Sequence, residues 1–130
     1  MRRVVSTDKA PKPTGPYSQA ISSERFVFVS GQIGIDPATG KLVEGGAKAE
    51  AAKCMENVKA VLSASGLEVR DIVKTTIFVT DMASFKEVNE AYGSFFYSEP
   101  PARSTIGVAA LPLGARVEIE CIALRPKPSL

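Results

Sequence analysis

The chain has 130 residues, enough for one domain with a true core, and its 45% apolar and 23% charged content is that of an ordinary globular protein. Sixteen basic against fourteen acidic side chains leave a formal charge of +2, too weak to point to a nucleic acid or a membrane surface. There is no histidine, which excludes Ser-His and Cys-His nucleophilic pairs and removes the commonest metal ligand.

Met1 to Ala20 holds no apolar run and carries Arg2, Arg3, Lys9 and Lys12 among its prolines, so no secretory segment is expected. Nothing approaches the ~20 apolar residues of a membrane span, and a cytoplasmic location is the expectation. Cys54 and Cys121 stand far apart in unlike contexts, so two buried free thiols are expected rather than a zinc site. No glycine-rich phosphate loop occurs. Any chemistry must use carboxylates, arginine, hydroxyls, backbone groups and water, with no metal and no cofactor expected.

In chain order, Val4–Thr7 predicts a short edge strand. Pro11, Pro13 and Pro16 then hold the chain extended up to Gly15-Pro16-Tyr17. Phe26–Ser30 predicts a strand stopped by Gly31, and Asp36–Gly40 a turn. Ala47–Ser65 predicts a helix: Ala51, Met55, Val58 and Leu62 share a face, Lys48, Lys53, Glu56 and Lys59 form the solvated side, and Gly66 supplies the stop. Ile72–Thr80 predicts a strand. A second helix follows, opened by a capping box at Ser84 and Glu87 and striped by Phe85, Val88, Tyr92, Phe95 and Phe96, until Pro100-Pro101 ends the element. Ser104–Ala109 and Arg116–Leu124 are the last strands.

This order predicts an α+β fold in which two helices cover one face of a sheet, the whole of residues 1–130 forming one domain. Several strands are apolar on both faces: Val73, Ile77 and Val79 alternate with Ile72 and Phe78, and Val117, Ile119 and Cys121 with Ile122 and Leu124. Two helices cannot cover both faces. A copy of the same chain is the simplest cover for the second.

Arg103, where Pro100-Pro101-Ala102 enters a strand, is placed either to grip a carboxylate with two parallel hydrogen bonds or as an ordinary surface arginine. Glu120 shares a strand face with Arg116, Glu118, Ile122 and Leu124. The polar-to-apolar gradient along that face predicts that Glu118 is solvated and Glu120 partly buried. Burial would raise its pKa and suit it to proton transfer with a water, the alternative being a structural ion pair. Asn89, on the apolar side of the second helix, either pins a loop or touches a ligand. Tyr17 and the Ser30-Gly31 pair are weaker candidates.

Five blocks fall in a familiar order: Gly15-Pro16-Tyr17-Ser18-Gln19-Ala20, Val29-Ser30-Gly31-Gln32-Ile33, Val88-Asn89-Glu90-Ala91-Tyr92, Pro101-Ala102-Arg103-Ser104 and Val117-Glu118-Ile119-Glu120-Cys121. Together they resemble the RidA (reactive intermediate deaminase, YjgF-like) family from about Val4 to Arg125. The resemblance implies a chorismate-mutase-like fold, one mixed sheet of about six strands, and a homotrimer with a site in each intersubunit cleft. It implies hydrolysis of 2-iminobutanoate and 2-iminopropanoate to 2-oxo acids and ammonia, sparing pyridoxal-phosphate enzymes. Carried over by position, Arg103 would hold the substrate carboxylate and Glu120 the attacking water. Tyr17, Ser30, Gly31, Asn89 and the Thr105-Ile106 backbone would line the pocket. The family often has cysteine or serine at the position of Thr105, which bears on substrate preference. A protonated imine is already electrophilic, so the residue set is sufficient without a metal. Two other functions are weighed. An endoribonuclease or translation inhibitor, also attributed to this family, fits poorly with the missing histidine and basic stripe. A non-catalytic binder of 2-oxo acids would use the same pocket.

Overall fold

The chain forms the strands β1 (Arg3–Val5), β2 (Ala20–Ser22), β3 (Phe26–Ile33), β4 (Ile35–Asp36), β5 (Lys41–Leu42), β6 (Ile72–Val79), β7 (Ala102–Gly107) and β8 (Val117–Leu124), with buried apolar residues alternating along β8 and most of β3 and β6. The helices are α1 (Gly46–Ala64) and α2 (Phe85–Gly93). The coordinates are those of a computed structural model that describes residues 1–127; residues 128–130 of the predicted domain lie outside them. Six strands form one mixed sheet in the order β1-β2-β3-β8-β6-β7, and β4 and β5 make a separate hairpin around the predicted Asp36–Gly40 turn. Among the described residues only β6 and β7 pair in parallel. That is the pair joined through α2, as a parallel crossover requires.

Both helices pack on one face. Val27, Val29, Ile77, Val79, Val117, Ile119, Cys121 and Ala123 meet Cys54, Met55, Val58, Val61 and Leu62 of α1 and Val88, Ala91 and Tyr92 of α2. The helix α1 closes as Gly66 predicts. Gly66 takes φ +78°, its N–H donates to the Ser63 carbonyl at 3.0 Å, and Leu67 N–H donates to that of Leu62 at 2.9 Å. Leu62 and Leu67, both buried, complete the motif.

The opposite face is open. Phe26, Phe28, Val73 and Ile106 keep between 39% and 47% of their surface exposed there, with the two phenylalanine rings 6.2 Å apart. The two-faced pattern in β6 needs one adjustment. A bulge between Ile72 and Lys74 puts Ile72 on the helix face with Ile77 and Val79, and leaves Val73 outward.

Four expectations change. The strand from Phe26 is not stopped at Gly31: β3 runs on to Ile33, with a second bulge between Val29 and Gln32. The predicted capping box does not form, because Ser84 already has near-helical backbone angles after a 3-10 turn at Met82–Ser84. Asp81 caps that turn by accepting from Ala83 N–H at 2.9 Å. The helix α2 ends at Gly93, well before Pro100. Phe95 and Phe96 reach the core from tight turns closed by bonds to the Tyr92 and Gly93 carbonyls. And β7 begins at Ala102, so Arg103 is a strand residue rather than a loop residue. The strand β2 has no counterpart in the sequence reading; it is three residues long.

Candidate active site in two halves

The predicted residues assemble into two groups. The first lines a cleft of about 430 Å³ at the open face, bounded by Pro11, Lys12, Tyr17, Ser30, Gly31, Leu113, Glu118 and Glu120. The β3 bulge makes it. Val29 pairs with Cys121 and Gln32 with Ile119, so Ser30 and Gly31 together face the single residue Glu120. Ser30 is fixed by donating its hydroxyl to the Ser18 carbonyl and its N–H to the Gln19 carbonyl. The Gln19 side chain in turn bonds both the N–H and the C=O of Thr7 and the carbonyls of Ala10 and Pro11. That buried amide ties the proline-rich segment to the cleft floor, and the half-exposed Tyr17 ring stands at its rim.

Gly31 permits a close approach of the Glu118 carboxyl. A Cβ there would stand 2.7 Å from Glu118 Oε2 and 2.8 Å from Glu118 Cδ. The expected roles of the two glutamates are reversed in burial. Glu118 is half-buried, and its carboxyl is held above the usual range by burial and by the neighbouring Glu120 charge. Glu120 is exposed within the single chain. The reason is that Glu118 lies over Gly31 whereas Glu120 reaches past the bulge to the surface. Arg116 forms no ion pair with Glu118; its guanidinium donates to Glu50 at 2.7 Å.

The second group sits at the other end of the sheet, on the helix face. Arg103 Nη1 donates to Asn89 Oδ1 at 2.8 Å, and the guanidinium lies 5.2 Å from the Tyr92 ring centroid and 5.6 Å from that of Phe85. Tyr92 is positioned by a buried 2.7 Å hydrogen bond with Thr75. Burial raises its phenol pKa, while the Thr75 bond and the Arg103 charge oppose that. Among the described residues no carboxylate lies within ion-pair distance of Arg103. Thr105 shares the helix face, and its buried hydroxyl has no hydrogen-bond partner among the described residues. Ile106 points to the open face, and β7, an edge strand, has no strand on its outer side among the described residues. Asn89 thus holds Arg103 rather than pinning a loop.

The two groups cannot meet within one chain. Across the sheet Arg103 is in line with Thr75 and Cys121, and Glu120 with Thr76 and Ser104. Adjacent rows point to opposite faces, and two strand spacings of about 4.8 Å separate β7 from β8. The sequence reading missed Gln19 and Glu50, and it discounted Glu118. The thiols are as expected: Cys54 and Cys121 are buried and free, with burial pushing Cys121 up to about 12 and Cys54 higher still. No group of ligating side chains suited to a metal occurs among the described residues, and no helix is long and apolar enough to cross a membrane.

A single mixed sheet under two helices, with a guanidinium on the helix face of an edge strand and a carboxylate on the open face of an inner one, defines a small-molecule-handling protein of the chorismate-mutase-like class. The profile of the family described as Endoribonuclease L-PSP matches residues 7–125. The human 2-iminobutanoate/2-iminopropanoate deaminase is 47% identical over 125 residues, covering 96% of this chain and 91% of that protein. The crystal structure of RidA from a Psychrobacter species superposes with a TM-score of 0.92 at 42% identity, covering 95% of this chain and 99% of that one. That of Escherichia coli TdcF with bound serine gives 0.92 at 41% identity over 95% and 99%. The chain belongs to the RidA/YjgF family.

Proposed function

We propose that this protein hydrolyses 2-imino acids such as 2-iminobutanoate and 2-iminopropanoate to 2-oxo acids and ammonia, at clefts where the Arg103 half of one chain meets the Glu120 half of another. The observation that carries this reading is the separation of an unpaired guanidinium and an open carboxylate onto opposite faces of one sheet. Each half is built, and each lacks what the other has. The uncovered Phe26, Phe28, Val73 and Ile106 face supplies a reason for chains to associate. Relatives at this identity that act on 2-imino acids, and one that binds serine, share a ligand carboxylate suited to Arg103.

In the proposed reaction Arg103, held by Asn89 and lying 5.2 Å from the Tyr92 ring centroid, takes the substrate carboxylate in a bidentate grip. The protonated imine carbon then faces Glu120. A water held by the Glu120 carboxylate attacks that carbon, and Glu120 takes its proton. The carbinolamine nitrogen receives the proton from Glu120, the C–N bond breaks, and the hydroxyl proton leaves as the carbonyl forms. The balance is imine cation plus water to 2-oxo acid plus ammonium. Proton transfer from a placed carboxyl contributes about 10²–10⁴-fold.

Loss of freshly generated 2-iminobutanoate in the presence of purified protein tests the reading directly. Glu120→Gln is expected to keep affinity for 2-oxobutanoate and lower kcat by about 10²–10⁴-fold, because an amide holds water but takes no proton. Unaltered turnover would remove Glu120 from the mechanism. RNA cleavage without imine turnover would favour the nuclease reading instead. Light scattering at micromolar concentration is expected to give about three times 13.8 kDa. The shared cleft has its own test. Arg103→Ala and Glu120→Gln chains, each inactive, are unfolded, mixed equally and refolded. They are expected to regain about a quarter of wild-type activity, since random assembly puts both intact halves in about one cleft in four. No recovery would place the whole site within one chain.

A further inference from the structure

The cleft has a wall that the reaction above does not use. Ser30, Glu118 and Glu120 make its polar side, but Pro11, Tyr17, Pro112 and Leu113 make an apolar one. Leu113 departs from its neighbours in conformation. Its backbone is left-handed, at φ 57° and ψ 24°, and Gly114 follows at φ 71°. Glycine takes that region freely and asparagine at small cost, whereas the Cβ of leucine crowds the following carbonyl. The side chain gains little burial in return, since 67% of Leu113 is exposed within the single chain. A strained backbone under an exposed apolar side chain is a combination that a purely structural turn has no reason to keep.

The turn that carries Leu113 is firmly anchored. Ala115 is buried, and its N–H donates to the Pro112 carbonyl at 3.1 Å. The next N–H, that of Arg116, donates to the buried Glu50 carboxylate at 2.7 Å. Proline restricts the backbone at the other end. A wall built this way does not have to be ordered by a ligand, so contact with it translates efficiently into selectivity.

We propose that Leu113 is a specificity-determining residue of this site: with Pro112 and the Tyr17 ring it seats the side chain of the imino acid, and it selects a branched aliphatic chain, as in 2-imino-4-methylpentanoate, over the methyl group of 2-iminopropanoate. The proposal rests on the two-half site described above, which leaves one substituent of the substrate unplaced. Arg103 takes the carboxylate, and Glu120 serves the attacking water and the imine nitrogen. The side chain on the same carbon is left to the uncharged wall. Lys12 is the one cation lining the cleft, and an acidic side chain would be its partner rather than that of Leu113.

The test compares kcat/KM for imines generated in situ by oxidation of alanine, leucine and glutamate, using the assembled full-length protein. The leucine-derived imine is expected to be preferred over the alanine-derived one on the order of tenfold, the effect of partly burying an isopropyl group. Leu113→Gly and Leu113→Asn should bring that ratio close to one, chiefly through loss on the leucine-derived imine. Leu113→Met, which keeps the apolar volume, should keep most of it. Glycine and asparagine both suit a left-handed backbone, so these two variants are expected to melt no lower than wild type. A leucine with only a structural role would instead lower the melting temperature and both rates together. An unchanged ratio in Leu113→Gly, a wild-type protein without preference, or a preference for the glutamate-derived imine overturns the assignment of Leu113 while leaving imine hydrolysis standing. Dissociation of the Leu113→Gly assembly, seen by light scattering, also overturns it, because Leu113 is then a contact between copies. Wild-type protein that hydrolyses none of the three imines overturns the site and this inference together.

Discussion

Replacing Arg103 by alanine is expected to lower kcat/KM for 2-iminobutanoate by roughly 30- to several-thousand-fold while leaving the chain folded. Losing one partner of a charge-assisted pair in a confined site costs ~2–5 kcal/mol, which sets that range. The structure sharpens the expectation beyond charge. Asn89 accepts from one guanidinium nitrogen at 2.8 Å, and the Tyr92 and Phe85 rings flank the group at 5.2 and 5.6 Å. The remaining N–H donors have no acidic partner among the described residues. A planar fork so held is pre-organised for a carboxylate. Arg103→Lys should therefore rescue poorly, since an ammonium neither stacks in this slot nor offers two parallel donors. The fold should survive because Arg103 lies on an edge strand and closes no buried ion pair. Circular dichroism and light scattering on the variant separate loss of grip from loss of structure. A folded, assembled Arg103→Ala protein with near-normal imine hydrolysis would show that the carboxylate is held elsewhere.

The elements with strong periodicity were legible in the sequence: α1 from its apolar spacing, β6 and β8 from alternation, and the helix stop from Gly66. What escaped was irregular structure. A bulge is one residue out of phase, and alternation alone cannot distinguish it from a strand end. For that reason Gly31 reads as a stop although it is the floor of the cleft. The same bulge decides which glutamate is buried. A gradient of polarity along β8 points to Glu120, but the absent side chain at Gly31 makes room for Glu118 instead. Arg103 and Glu120 were recognisable as candidates by type and by resemblance to the RidA family. Their placement on opposite faces follows from strand order and register, which no local pattern contains. Glu50 and Asn57 carried a usable signal: both fall at helical spacing on the face of α1 that holds Cys54 and Val61. Polar residues on an apolar stripe call for buried partners, and each has them. Asn57 donates to the Ile33 and Ile35 carbonyls where β3 gives way to β4.

Glu50 gives the second large effect, on stability rather than on binding. It is fully buried on α1. One carboxylate oxygen accepts from Arg116 N–H at 2.7 Å and the other from Arg116 Nη1 at 2.7 Å. The contact joins the first turns of α1 to the residue just before β8, the strand carrying Glu118 and Glu120. On the other side the backbone of Gly34 packs so closely that a Cβ there would stand 2.9 Å from Glu50 Cα. Glu50→Ala removes the acceptor of a partly buried backbone N–H and leaves a void, while the Arg116 guanidinium, 59% exposed, turns to water. The loss is expected to be about 2–4 kcal/mol, less than for a wholly buried pair. Glu50→Gln keeps one carbonyl oxygen for the Arg116 N–H and gives up the charge, so a smaller loss of about 1–3 kcal/mol is expected. Urea midpoints at one fixed protomer concentration measure both, since unfolding of an associated protein depends on concentration. The order alanine below glutamine below wild type, with unchanged m-values, is the expected result. Because the pair tethers β8, the milder variant should also lose catalytic rate in proportion to the disorder it admits at Glu120, while its Arg103 half is untouched. An alanine variant as stable as wild type would mean that Arg116 N–H finds water and that the ion pair contributes nothing net.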